Sequence, residues 1–250
     1  MSTLWRDAWH TVRPRPDDPH GPLAPMLVLL TFVTGLVDAF SYLELGRVFV
    51  ANMTGNVVFL SFALGGAPGF LWWASLLAVV TFLLGALLGG RIGAASGGHR
   101  GRHLFAGAAT QTALLAVAVI LTWVTPVASP RDSYDGALLA VLIIILGVAM
   151  GLQNATARGL GVPDLTTTVL TMTLTGMGAD SRIAGGRDGR IGRRLLSVLA
   201  MFAGGLAGVL LIESGQGRWV LVFATLLLGG VTLWVARSRR ATTGWVQKPA

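Results

Sequence analysis

The sequence predicts an all-α polytopic membrane protein, with about six full transmembrane helices and two short re-entrant or broken segments forming inverted repeats. Three observations lead there. Of 250 residues, 53% are hydrophobic and only 12% charged, with a mean hydropathy of +0.69, a membrane composition. Apolar runs of about 20 residues, enough to cross about 30 Å of hydrocarbon, recur along the chain. Two segments that interrupt this pattern with amides and hydroxyls each follow a copy of one short motif.

The elements follow in order. Residues 1–24 precede the first span as a cytoplasmic tail. Within it TLWRDAWHTVR sets Leu4, Trp5, Ala8, Trp9 and Val12 on one side of a short helix, suited to the membrane interface. A disordered tail is the alternative, since RPRPDDPHGPLAP is too rich in proline to fold. No apolar stretch ahead of a small-residue cleavage site marks a signal peptide. The membrane domain occupies 25–236. Its spans are expected at Pro25–Leu45, Phe70–Gly90, Leu104–Val124, Gly136–Asn154, Leu195–Ile212 and Val220–Val235. Repeat 1 covers about 25–124 and repeat 2 about 136–236, and 237–250 reads as a short basic tail.

The formal charge is +8, nearly all arginine, with Lys248 the one lysine. The arginines sit in short loops beside apolar spans. This is the positive-inside pattern, and it explains the charge with no nucleic-acid partner. Arg91, Arg100 and Arg102 mark one loop; Arg182, Arg187, Arg190, Arg193 and Arg194 mark a second; Arg237, Arg239, Arg240 and Lys248 mark the chain's end. All three belong on the cytoplasmic side, so an even number of crossings must separate them. The threonine-rich segment ahead of the second loop then cannot cross. A cytoplasmic N-terminus, carrying Arg6, Arg13 and Arg15, fits the same scheme. Both termini then face the cytoplasm of a bacterial cell, with the chain in the inner membrane.

GLVDA at Gly35–Ala39 recurs as GLQNA at Gly151–Ala155, and GxxxG appears at Gly85–Gly89 and again at Gly204–Gly208. Their shared order points to an internal duplication. With the first half starting inside and the second outside, the halves form an inverted pair. By that duplication FVANMTGNVVFL (Phe49–Leu60) should not cross either. Yet Val48–Leu64 is apolar enough to cross, which would give seven spans and an outside N-terminus.

Paired, polar-interrupted segments in inverted halves point to a transporter binding site. Irregular backbone at membrane depth survives only where protein or a wet cavity supplies hydrogen bonds. Asn52, Thr54 and Asn56 carry the first segment. Thr166, Thr167, Thr168, Thr171, Thr173 and Thr175 carry the second, and Asn154 stands in the motif ahead of it. Hydroxyls and amides donate and accept, so they can replace a small solute's hydration without fixing its charge. The same residues also serve as interhelical glue. Asp38 is the one acid well inside an apolar span, and such a carboxylate is a functional hypothesis. It either carries a proton or caps the next segment near the outer end of its span; its repeat partner Asn154 cannot titrate.

Enzymatic roles find little support. There is no cysteine and no HExxH, and a two-aspartate protease lacks its second deep acid. His10, His20, His99 and His103 fall outside the predicted spans, and the His99/His103 pair reads as a solvated loop rather than a metal site. No catalytic residue, metal or cofactor is expected.

GLVDAFSYLELGRVFVANMTGNVV, followed by GLQNA and TTTVLTMT, resembles the YoaK-like family of bacterial inner-membrane proteins, over roughly Pro25 to Val235. The resemblance implies a polytopic membrane protein and carries no substrate. The family's second polar block looks more like TTYVTGNLT, with Met172 and Thr173 here in place of its glycine and asparagine. Together these readings lead to a secondary transporter or permease of a small polar solute, working by alternating access around the polar segments, with proton coupling through Asp38. A non-transporting scaffold or regulatory subunit, and a passive channel, are the alternatives. The expected partners are the lipid bilayer and an unidentified small solute.

Overall fold

Hydrocarbon offers a backbone no hydrogen bonds, so a spanning segment must satisfy its own N–H and C=O groups. In the computed structural model every long apolar run of the chain does so as an α-helix. The structure describes residues 3–15, 18–125, 134–167, 170–181, 184–186, 191–238 and 244–246. Among them are α1 (Thr3–Val12), α2 (Leu23–Glu44), α3 (Met53–Leu64), α4 (Trp72–Ala95), α5 (Arg100–Val124), α6 (Gly136–Leu160), α7 (Leu170–Ala179), α8 (Ile191–Glu213) and α9 (Gly217–Ser238), with a 3₁₀ turn at Gly244–Val246. Six of them are long and apolar enough to span, with mean hydropathies of 2.0 to 2.4. The protein is an all-α, multi-pass membrane protein.

The spans are longer than the apolar runs alone implied. α4 continues to Ala95 and α5 begins at Arg100. The expected loop Arg91–His103 therefore shrinks to four residues, and His103 lies in the first turns of α5, not outside the spans. The N-terminal segment is no free tail either. α1 packs on α8, and the backbone N–H of Arg193 donates to Asp7 Oδ2 at 3.0 Å.

α2 and α6 are the central helices: 72% and 56% of their apolar windows are buried, against 17% to 33% for the other four spans. They run in opposite directions. The Tyr134 N–H, just ahead of α6, donates to the carbonyl of Glu44 at the end of α2 (3.2 Å). At the other end Arg100 joins Leu160 O, closing α6, to Pro19 O, ahead of α2 (3.0 and 3.1 Å).

Two contact-rich pairs flank this centre, α2 with α8 and α4 with α6, and glycines set both. A Cβ on Gly204 would overlap the Phe32 carbonyl, and one on Gly85 would overlap that of Val148. Gly208 and Gly89 stand 2.8 Å, by the same measure, from the methyl carbons of Ala39 and Ala155. Gly35 meets Met201, and Gly151 meets Phe82. Each contact in one pair has its counterpart in the other at the position the GLVDA/GLQNA and GxxxG matches assign. Backbones this close gain dispersion and hydrogen-bonding contacts that lipid cannot supply.

Candidate re-entrant polar site

The two short helices occupy equivalent places, α3 after α2 and α7 after α6. Twelve residues of α3 rise about 18 Å, too little to cross. Both flanks of α3 lie at one end of the bundle. The Arg47 guanidinium, ahead of α3, stands over the Phe70 ring after it, 5.9 Å from the centroid. Both flanks of α7 meet likewise: Arg194, at the start of α8, bonds Asp164 before α7 (2.9 Å) and Asp180 after it (2.7 Å). Arg47 and Asp164 are also two of the three non-glycine residues with positive φ (59° and 64°) among the described residues. Each loop includes near its entry a left-handed residue whose side chain helps close it. The segment 48–64 therefore does not make a seventh span.

In the first unit the polar residues hold the backbone. Asp38 is 6% exposed, and its Oδ1 accepts the N–H groups of Val50 (3.2 Å) and Ala51 (2.9 Å). Those residues lie just ahead of α3, so the carboxylate faces the positive end of that helix. Asn56 is fully buried and forms a two-pronged pair with Phe49. Its Oδ1 accepts from Phe49 N–H (2.9 Å) and its Nδ2 donates to Phe49 O (2.5 Å), with Met53 Sδ 3.6 Å from the same nitrogen. The non-helical 45–52 stretch thus descends beside α2 and α3 returns. Asn52 and Thr54 are exposed on the outer side of the turn.

The second unit follows the same burial pattern with different chemistry. Thr173, opposite Asn56, is buried; Thr171, opposite Thr54, is exposed. Thr167 is buried in a left-handed conformation (φ 63°), and its Oγ1 has no partner among the described residues. Asn154, opposite Asp38, is part-buried and donates from Nδ2 to Met150 O at 3.4 Å. Thr168 lies outside the described residues, as do Arg182, Arg187, Arg190, Arg239, Arg240 and Lys248.

The structure gathers Asp38, Val50, Ala51 and Asn56 into one cluster but spreads the remaining site residues. α3 packs on α4 and α7 on α8, so the two polar segments lie on different partners. Among the central helices runs a polar line that the sequence reading missed. Gln111 Nε2 donates to Gln153 Oε1 (2.6 Å), and Gln153 Nε2 donates to Thr34 Oγ1 (2.8 Å) and Leu30 O (3.3 Å), joining α5, α6 and α2. Toward the arginine end the α5–α6 seam continues. Thr156 Oγ1 lies against Gly107, and the His103 ring against Gly159. Thr156 Oγ1 and His103 Nε2 are buried without a partner among the described residues. Intramembrane glutamines were the available signal: two amides inside apolar helices must find each other or water. At the opposite end Tyr134 bonds Thr122 and Arg218, and burial pushes its phenol above the ordinary range.

Six spans with two re-entrant half-helices define a class, the polytopic α-helical membrane proteins built on paired non-crossing segments. The chain belongs to the family described as "Protein of unknown function (DUF1275)", which matches residues 26–234. It is 34% identical over 152 residues to the UPF0700 transmembrane protein YoaK of Bacillus subtilis, across 61% of this chain and 64% of that relative, just under two thirds of its length. The YoaK-like resemblance is therefore shown. No solved structure matches.

Proposed function

We propose that this chain is a secondary transporter or permease of a small polar solute, with alternating access between two inverted repeats. The observation that carries the reading is the doubled frame. α3 and α7 turn back at opposite ends of the antiparallel α2/α6 centre, and the same glycine contacts join α2 to α8 and α4 to α6. Each packed pair mixes one helix from each half, which suits two pairs that rock against one another. The Gln111–Gln153–Thr34 line supplies polar groups between them. Asp38 is the proton carrier in this reading, and no enzymatic step or cofactor enters it.

In this reading both termini are cytoplasmic in a bacterial inner membrane, because the arginines of α5 and α8 gather at the end where α2 starts. The chain has no cysteine, so single-cysteine labelling tests the arrangement. Leu64→Cys and Ser214→Cys should label from outside intact cells, and Arg102→Cys should not. Labelling of Arg102→Cys from outside overturns the orientation.

Function is tested by flux into reconstituted vesicles across a library of small polar solutes, with and without a proton gradient. Asp38→Asn should remove the pH dependence of any flux found. A second reading, a non-transporting scaffold, is favoured by one observation: Asp38 and Asn56 are already occupied by backbone groups. Variants that lose flux only in step with thermal stability would support the scaffold instead.

A further inference from the structure

At the arginine end, α4, α5 and α6 line a half-open cavity of about 300 Å³, at the lower end of small-ligand sites. Arg100 and His103 from α5 line it, with Ser96, Gly98 and His99 of the α4–α5 loop and small residues of α4 and α6. No carboxylate belongs to its wall, and α4 and α6 contribute no titratable side chain there. Arg100 is 2% exposed, and the hydrogen-bond partners of its guanidinium among the described residues are the carbonyls of Leu160, Pro19 and Trp245 and the ring of His20. Asp18 acts on it only through space. A positive charge therefore stands at the wall with no acid hydrogen-bonded to it among the described residues, beside the N-terminus of a 25-residue helix.

His103 supplies the second, independent feature. It is 7% exposed, and its ring bonds the Gly89 backbone while Nε2 has no partner among the described residues. The bonded nitrogen is thus Nδ1, which donates to a carbonyl, and the ring forms part of the cavity wall beside Gly93. A Cβ on Gly93 would lie 3.0 Å from Nε2. A buried imidazole nitrogen without a partner calls for an occupant. A cation is disfavoured beside Arg100 and a helix N-terminus, whereas an anion gains from both.

We infer that this cavity binds a tetrahedral oxyanion of the sulfate or phosphate type, free or as a lipid headgroup, with His103 taking up a proton to donate from Nε2. The anion favours the imidazolium, so affinity rises as pH falls through the histidine range. The other titratable groups of the wall are Arg100, on the same helix, and His99, which caps that helix. Binding here is independent of whether the chain moves a solute.

The probe is sodium sulfate, whose charge is constant between pH 6 and 8, titrated calorimetrically into the detergent-solubilised full chain with sodium chloride as control. Saturable binding should be at least roughly tenfold tighter at pH 6 than at pH 8, since one coupled protonation changes affinity by up to about tenfold per pH unit. His103→Gln should abolish that pH dependence. Gly90→Leu places its side chain in the cavity where a Cβ meets nothing within 4 Å, so it should remove binding while the protein stays folded. If the occupant is a headgroup phosphate, sulfate gives no heat. Native mass spectrometry then shows phosphatidylglycerol retained by the wild type and lost from Gly90→Leu. Sulfate binding that survives Gly90→Leu overturns the assignment. So does a wild type with neither sulfate heat nor lipid retention that Gly90→Leu removes.

Discussion

Two loops of one design, 45–71 and 161–190, are held in different ways. The first closes with buried, directional bonds: a carboxylate on two backbone N–H groups, and an amide paired with both polar groups of Phe49. The second, where described, closes with ion pairs around Arg194; one acid, Asp164, is only 17% exposed and the other, Asp180, 54%. Both include a left-handed residue near their entry and both place a short helix against the following span. The backbone frame is therefore shared while the fastening is not. Buried bonds to backbone resist salt and tolerate little change, whereas exposed ion pairs are weak and screened.

Four substitutions sharpen or break that comparison. The largest effect is expected from Asp38→Ala, which strands the N–H groups of Val50 and Ala51 in a buried site. Each unmade bond costs about 1–3 kcal/mol, so unfolding in mixed micelles should show a loss of roughly 3 kcal/mol. Retained stability would mean that the loop does not depend on this carboxylate. Next comes Asn56→Leu, similar in size but unable to pair with Phe49. A loss of roughly 2 kcal/mol is expected, together with faster hydrogen exchange at the Phe49 amide.

Arg194→Gln should cost less, about 1 kcal/mol, because one of its two acids faces solvent. The difference from wild type should shrink as salt is raised, a response that Asp38→Ala must not show. A salt-insensitive loss at Arg194 would erase the contrast between the loops. The smallest effect belongs to Thr171→Val. Its side chain is exposed on α7, and stability should change by under about 0.5 kcal/mol. In the transport reading the same variant is measured for flux, and lost flux at unchanged stability would place Thr171 on the solute's route.

Much of this architecture was legible in the residues. Composition and run length determined a multi-pass helical membrane protein, because hydrocarbon allows a spanning chain few other conformations. The GLVDA/GLQNA and GxxxG matches determined which helices correspond, and the arginine loops determined that the threonine segment turns back. Helix ends were less legible: α5 begins four residues before its apolar run, with the His99 ring accepting the Arg102 N–H at 3.1 Å to cap it. That cap drew His103 into the bundle. The first segment, apolar enough to cross, was decided only by tertiary contacts, since Arg47 must reach Phe70 and Asp38 must reach Val50 and Ala51. Hydropathy records the transfer cost of each side chain and says nothing of where its hydrogen bonds end. Whether Asn56 faces a solute or its own backbone, and whether Gln111 finds Gln153 across two helices, depends on distances that only the packed chain fixes.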